Sequence, residues 1–318
     1  MKNYAKLLRD SAPIIGFFIV TIFFAITTGG RLLSFDNIQN LTGQVIVTAL
    51  VAIGAVFVFG SGNLDMSLGA CVNMSAVLGC MAAIATGSML AAFVVCMLTS
   101  LAFALFKGLF AAFVDVPLFI VTIVMGTAIL ALVRLIMGSK SSITLDDAVT
   151  TIPKLTFDEK TWINISILGA FFILCLILFK FTGLGRKIKI LGGSAIVAKQ
   201  TGLNIKAIKI AAFMVGSIGV GLAAFVLMIR TRTIENTAAG SVGIDVMVAL
   251  VLGGMPLSGG SRSMISAGLI GALTITVLNS GLSIMGISTD LIQIVRGVVF
   301  LAIVLVASYT YRTELLPR

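Results

Sequence analysis

The chain has 318 residues, 59% of them hydrophobic and 11% charged, with a mean hydropathy of +1.17. These values lie far outside the range of a water-soluble domain and indicate an all-α integral membrane protein. The net charge of +10 is scattered over the ends of apolar runs; topology and anionic lipid account for it, and it points to no nucleic-acid partner.

A membrane-spanning helix takes about 20 mostly apolar residues, and about ten runs qualify. The first, residues 11–28, follows Lys2, Lys6 and Arg9 and lacks a small-x-small cleavage site, so it reads as a retained span. A short polar link leads to the second, 41–59. The segment 60–65 breaks the chain before a third run, 66–86, and a fourth, 89–106, which Lys107 ends. The fifth, 116–137, carries Pro117 where a helix start tolerates it. A polar loop of mixed charge, 138–161, separates it from the sixth, 162–181. After the basic loop 183–209 come 210–229, 244–253, 264–280 and 291–308. The run 244–253 is short and reads as a broken or re-entrant span.

The basic loop holds Arg186, Lys187, Lys189, Lys199, Lys206 and Lys209 with no acid, which assigns it to the cytoplasm. Ten crossings with both termini cytoplasmic then leave outside only Arg31, Lys140, Lys154, Lys160, Arg230 and Arg232. Two similar mouths, Asn63-Leu64-Asp65-Met66 and Gly243-Ile244-Asp245-Val246, suggest a pseudo-repeat of two halves. Chance in a Gly-rich chain accounts for them equally well.

Charges within spans are functional candidates by default. Asp115 and Asp290 sit at helix starts and read as caps, and Arg134 reads as a snorkelling side chain. Arg296 is deeper and requires an acidic or carbonyl partner. Asp65, in the irregular stretch after Gly60, fits a pathway or gating role and a structural elbow equally. Phe119 and Thr122, one turn apart, offer an aromatic face and a hydroxyl to a polar solute, or simple packing. Asn279, within an apolar run, fits solute contact or a helix-helix hydrogen bond.

Histidine is absent, and Cys71, Cys80, Cys96 and Cys175 lie in apolar runs without metal or redox spacing. No nucleophile and base arrangement is visible, so the chain does not read as an enzyme. The run 253–262 lacks the GxxxxGK[ST] phosphate-loop pattern and reads as a tight turn. Small residues at 216–221 mark close helix packing.

Within the basic loop, Ser194 is an N-cap, 195–201 has helical grammar and Gly202 suits the position just past the helix end. Ala195, Ile196, Val197 and Ala198 form a small apolar surface that fits either a membrane surface or a partner's groove.

Three segments together, GRKIKILGGSAIVAKQTGLNIKAIKI, AAGSVGIDVMVALVLGGMPLSGG and LIGALTITVLNSGLSIMGIS, resemble the permease subunits of bacterial ABC importers of the ribose and related monosaccharide type. GNLDMSLGACVNMSAVLG and VPLFIVTIVMGTAIL extend the resemblance over most of the chain. It implies a single permease domain over 1–318 that moves a polar solute, a monosaccharide by analogy, across the inner membrane by alternating access. It implies a cytoplasmic ATPase that carries ATP and Mg, with no cofactor on this chain. A second permease copy or paralogue and an external solute-binding protein complete the assembly. Ser194 to Gly202 is similar to the coupling helix that docks on the ATPase. The family often has an acidic residue and two alanines where this chain has Ala195, Ile196 and Val197, which bears on ATPase pairing. Asn63, Asp65, Phe119, Thr122 and Asn279 would lie near the central pathway. The alternative from another class is a self-contained secondary transporter or channel.

Overall fold

The computed structural model describes residues 2–114, 116–145, 157–256 and 258–315. Twelve helices dominate them: α1 (Lys2–Thr27), α2 (Phe35–Gly60), α3 (Leu68–Thr86), α4 (Met89–Phe113), α5 (Leu118–Met137), α6 (Phe157–Leu176), α7 (Gly183–Gly193), α8 (Ala195–Gln200), α9 (Ile205–Thr231), α10 (Val242–Leu252), α11 (Ile265–Ile284) and α12 (Thr289–Leu315). A 3₁₀ turn, Arg31–Leu33, precedes α2, and a π-helical turn, Ile177–Phe181, extends α6. Among the described residues, seven helices are long and apolar enough to cross a membrane, with two shorter apolar helices at Ser11–Thr27 and Val242–Leu252.

The helices sort into two shells. The most apolar stretch of α2 is 78% buried and those of α3, α9 and α11 are each 72% buried, against 22% for α4, α5 and α6. The first group therefore forms the core, and the second turns apolar side chains such as Leu98, Val124, Leu135 and Ile173 outward. In hydrocarbon no hydrophobic force drives helices together, so close backbone approach has to. A β-carbon on Gly54 would fall 2.6 Å from the Gly216 carbonyl oxygen, and one on Gly219 would meet the Leu50 carbonyl. These contacts run α2 and α9 antiparallel, and the small-residue run at 216–221 is where they seat.

Local signals set the helix ends. Ser88 Oγ accepts from Ala91 N–H at 3.4 Å and Asn204 Oδ1 from Ala207 N–H at 3.1 Å, each filling an N-cap. At the end of α2, Gly62 takes φ +81°, while its N–H reaches Phe59 O and the Asn63 N–H reaches Val58 O. This is the Schellman arrangement, and it stops the helix against a glycine.

Several details differ from the sequence reading. α2 begins at Phe35 rather than residue 41, and α4 continues past Lys107 to Phe113. The basic loop is two helices, because Gly185, Ile188 and Leu191 give α7 a buried face while Arg186 and Lys187 stay outside. A two-stranded antiparallel pair joins Ser142–Thr144 to Thr233–Glu235, where β-branched residues in the loops after α5 and α9 meet. Asp115 lies outside the described residues. Asp290 falls in the first turn of α12, and Arg134 is exposed in the last turn of α5.

Candidate functional site

Three places in the fold concentrate polar chemistry. The first is the elbow between α2 and α3. Asp65 is 1% exposed and its Oδ2 lies 2.6 Å from Lys107 Nζ. Asp65 Oδ1 accepts from the Ser67 N–H at 2.9 Å and the Ser67 hydroxyl at 2.7 Å. Lys107 also donates to Ser67 Oγ at 3.1 Å and to Cys71 Sγ at 3.6 Å, so its three N–H bonds each find an acceptor. The Met66 N–H donates to Thr122 Oγ1 at 3.0 Å, and the Thr122 hydroxyl donates to Phe119 O. Irregular backbone at membrane depth persists only when it is packed in protein; here α5 satisfies the Met66 N–H and α4 neutralises Asp65. Lys107 is thus a buried partner of Asp65, not a span-ending cation: the apolar run resumes after it through Val114.

The second place is the start of α10. Asp245 is buried, and its Oδ1 lies 2.8 Å from an Arg296 guanidinium nitrogen on α12. Arg296 Nε donates to Asn279 Oδ1 on α11 at 2.7 Å. Arg296 therefore has both an acid and an amide carbonyl as partners, as its depth requires. With Gln44, Thr48, Ser241 and Thr276, these groups line a cavity of about 200 Å³. The two acid-bearing mouths also touch: a β-carbon on Gly243 would lie 3.0 Å from Met66 O, and one on Gly69 3.0 Å from Gly243 N. Between them, Asn73 Nδ2 on α3 donates to Asn236 O at 2.6 Å.

The third place is the face that carries α7 and α8. Ser194 Oγ accepts from the Val197 N–H at 3.3 Å, Gly202 takes φ +73°, and Leu203 N–H reaches back to Ala198 O. The helix is shorter than the sequence grammar by one residue, ending at Gln200. Ala198 packs inward, Ala195 is exposed, and Ile196 and Val197 stand 71% and 48% exposed. Gly192, just before this helix, is packed tightly against two other turns. A β-carbon there would strike the Gly60 carbonyl and come within 2.6 Å of Gly260 N. Gly260 N–H itself donates to Gly60 O at 3.0 Å. The described parts of the Gly-rich run, 253–256 and 258–262, accordingly turn, with Gly254, Gly259 and Gly260 all at positive φ.

The five pathway candidates do not converge. Asn63, half-buried and donating to Ser61 Oγ at 2.8 Å, shares the elbow with Asp65 and Thr122. Phe119 is 40% exposed on α5, whereas Thr122 is fully buried. Asn279 lies at the second centre. All four cysteines are buried and free, and Cys71 contacts Lys107. No cluster of metal-ligating side chains occurs among the described residues. Lys107, Asn73 and Arg230 were not singled out as site residues by sequence; the apolar run resuming after Lys107 was the signal for the first.

A bundle of apolar helices with paired charges at broken segments is a multi-pass membrane protein. Residues 37–304 match the family described as "Branched-chain amino acid transport system / permease component", and the chain belongs to that family. It is 29% identical over 301 residues to the ribose import permease protein RbsC of Escherichia coli (strain K12), covering 91% of this chain and 90% of that one. RbsC of Bacillus subtilis (strain 168) is 29% identical over 308 residues, covering 95% and 94%. The xylose transport system permease protein XylH of Haemophilus influenzae is 27% identical over 348 residues, covering 89% and 92%. No solved structure matches the chain.

Proposed function

We propose that this chain is the permease subunit of an ATP-driven ABC importer that moves a monosaccharide across the bacterial inner membrane by alternating access. The observation that carries the reading is the end-to-end similarity to ribose and xylose permeases, over about nine-tenths of each chain. A pair of cytoplasmic ATPase subunits holds ATP and magnesium, and this chain binds no cofactor. A second permease copy or paralogue packs against it, and an external solute-binding protein delivers the sugar.

The face with α7 and α8 is cytoplasmic in this reading, as are both termini. α8 enters a groove of the ATPase with Ile196 and Val197 as its apolar contacts. Its movement passes through Gly192 to the ends of α2 and of the 253–262 turn, which meet there. ATP binding favours one access state by differential contact at that groove. Asn63, Asp65 and Thr122 serve the pathway as the hinge of the elbow, Asn279 faces it from the polar cavity, and Phe119 contributes from the outward face of α5. An ion-coupled secondary transporter is disfavoured because Asp65 and Asp245 already have cationic partners. Vesicle transport tests the proposal. Uptake should need the ATPase and ATP hydrolysis, and equilibration of solute by this chain alone would sink it.

A further inference from the structure

A cleft of about 380 Å³ opens between the start of α2, the start of α6 and the end of α9, on the face opposite α7 and α8. That size is at the small end of ligand pockets, roughly 300–1,000 Å³. Gln39, Asn40 and Gln44 come from α2, Lys160 and Asn164 from α6, and Arg230 from the last turn of α9. No carboxylate is among the described residues that line it.

One group in this cleft lacks the partner its burial calls for. Asn164 is only 3% exposed, and among the described residues no donor reaches its Oδ1. Buried amide oxygens are nearly always bonded, so an exception at the wall of a cavity points to a missing donor. Arg230 lies with its stem against Gly43, where a β-carbon would come within 2.8 Å of Arg230 Cδ. Its guanidinium borders both this cleft and the cavity lined by Asp245 and Asn279, and Gln44 is the other residue common to the two.

We propose that the cleft is a binding site for a small polyhydroxylated solute on the intake face of each protomer. A hydroxyl group both donates and accepts. One sugar hydroxyl supplies the proton that Asn164 Oδ1 lacks, while neighbouring hydroxyl oxygens accept from Arg230, Lys160 and the amide N–H groups of Gln39 and Gln44. A carboxylate would satisfy the two cations but carries no proton for Asn164 Oδ1. The solute class rests on the importer reading above; the existence of the cleft does not. Solute held here stands beside the Arg230–Gln44 wall, one step from the inner polar cavity.

Equilibrium dialysis of the full chain in lipid nanodiscs, with a panel of radiolabelled pentoses and hexoses, tests this. Saturable binding of at least one sugar is expected, weakened about tenfold in Gln39→Ala and in Asn164→Leu, the loss of roughly one hydrogen bond each. Gln39 is half-exposed, so its variant keeps the fold even where the buried Asn164 substitution does not. Inorganic phosphate should leave sugar binding unchanged. Absence of sugar binding, equal binding in wild type and Gln39→Ala, or displacement by phosphate would each overturn the site. ATP-driven sugar uptake by the complete assembly without sugar in the cleft would sink this inference alone. Binding in the cleft with no ATP-driven uptake would sink the importer reading alone.

Discussion

Asp65→Asn leaves the Lys107 ammonium buried with no counter-charge, and breaking such a pair from one side costs about 3–5 kcal/mol. The reciprocal Lys107→Met strands the carboxylate and should cost a similar amount, whereas the double variant should recover part of the loss. Thermal unfolding of the four proteins in detergent reads this cycle directly, and additive losses would show that the two side chains act separately. Thr122→Val has a smaller effect, about 1–3 kcal/mol, because it strips a neutral hydroxyl that accepts from the Met66 N–H and donates to Phe119 O. The need for a partner was legible at Arg296, which sits well inside an apolar run. Its identity was not, since Asp245 and Asn279 lie 51 and 17 positions away and only the packing of α10, α11 and α12 assembles them. Lys107 misled for a different reason. A lone lysine looks like the end of a span until the residues after it are weighed and a buried acid is available to neutralise it.

At the scale of elements, α8 is the piece whose local form was written most clearly in the chain. A serine cap, a short helical run and a glycine just past its end are all local signals, and they appear in the structure at those positions. Its neighbour α7 was missed as a helix because four glycines stand among its eleven residues. The periodic placement of Gly185, Ile188 and Leu191 was the available signal. Ile196→Asp should abolish copurification with the ATPase subunit, while Ile196→Leu should retain it, with equal thermal stability of the two isolated permeases. Equal retention by both would remove α8 from the interface. Lys209, whose Nζ donates to Ala111 O at the end of α4, and Lys206, over the Phe113 ring at 4.2 Å, fasten the following helix on the same face.

For the whole molecule, the basic face and the opposite cleft define two sides. Cysteine introduced by Asn40→Cys should react with a membrane-impermeant maleimide in intact spheroplasts, and by Lys199→Cys only after permeabilisation. The four native cysteines are buried and give little background. The reverse pattern would invert the chain. The inner and outer shells of helices could not be read from hydropathy, because the spanning stretches of α2 and α5 are about equally apolar. Glycine spacing in α2 and α9 decides which of them is enclosed.

The meeting of Gly60, Gly192 and Gly260 has a further bearing on how such permeases can be recombined. A joint of bare backbone holds no rotamers that could take up slack, so a shift of α8 is handed on without loss. The same bareness makes the joint intolerant of piecemeal exchange. A chimaera that borrows the α7–α8 segment of a relative should work only when the turns at 60–62 and 258–260 are borrowed with it. Where the borrowed segment brings alanine to Gly192, its methyl group would be set against the Gly60 carbonyl.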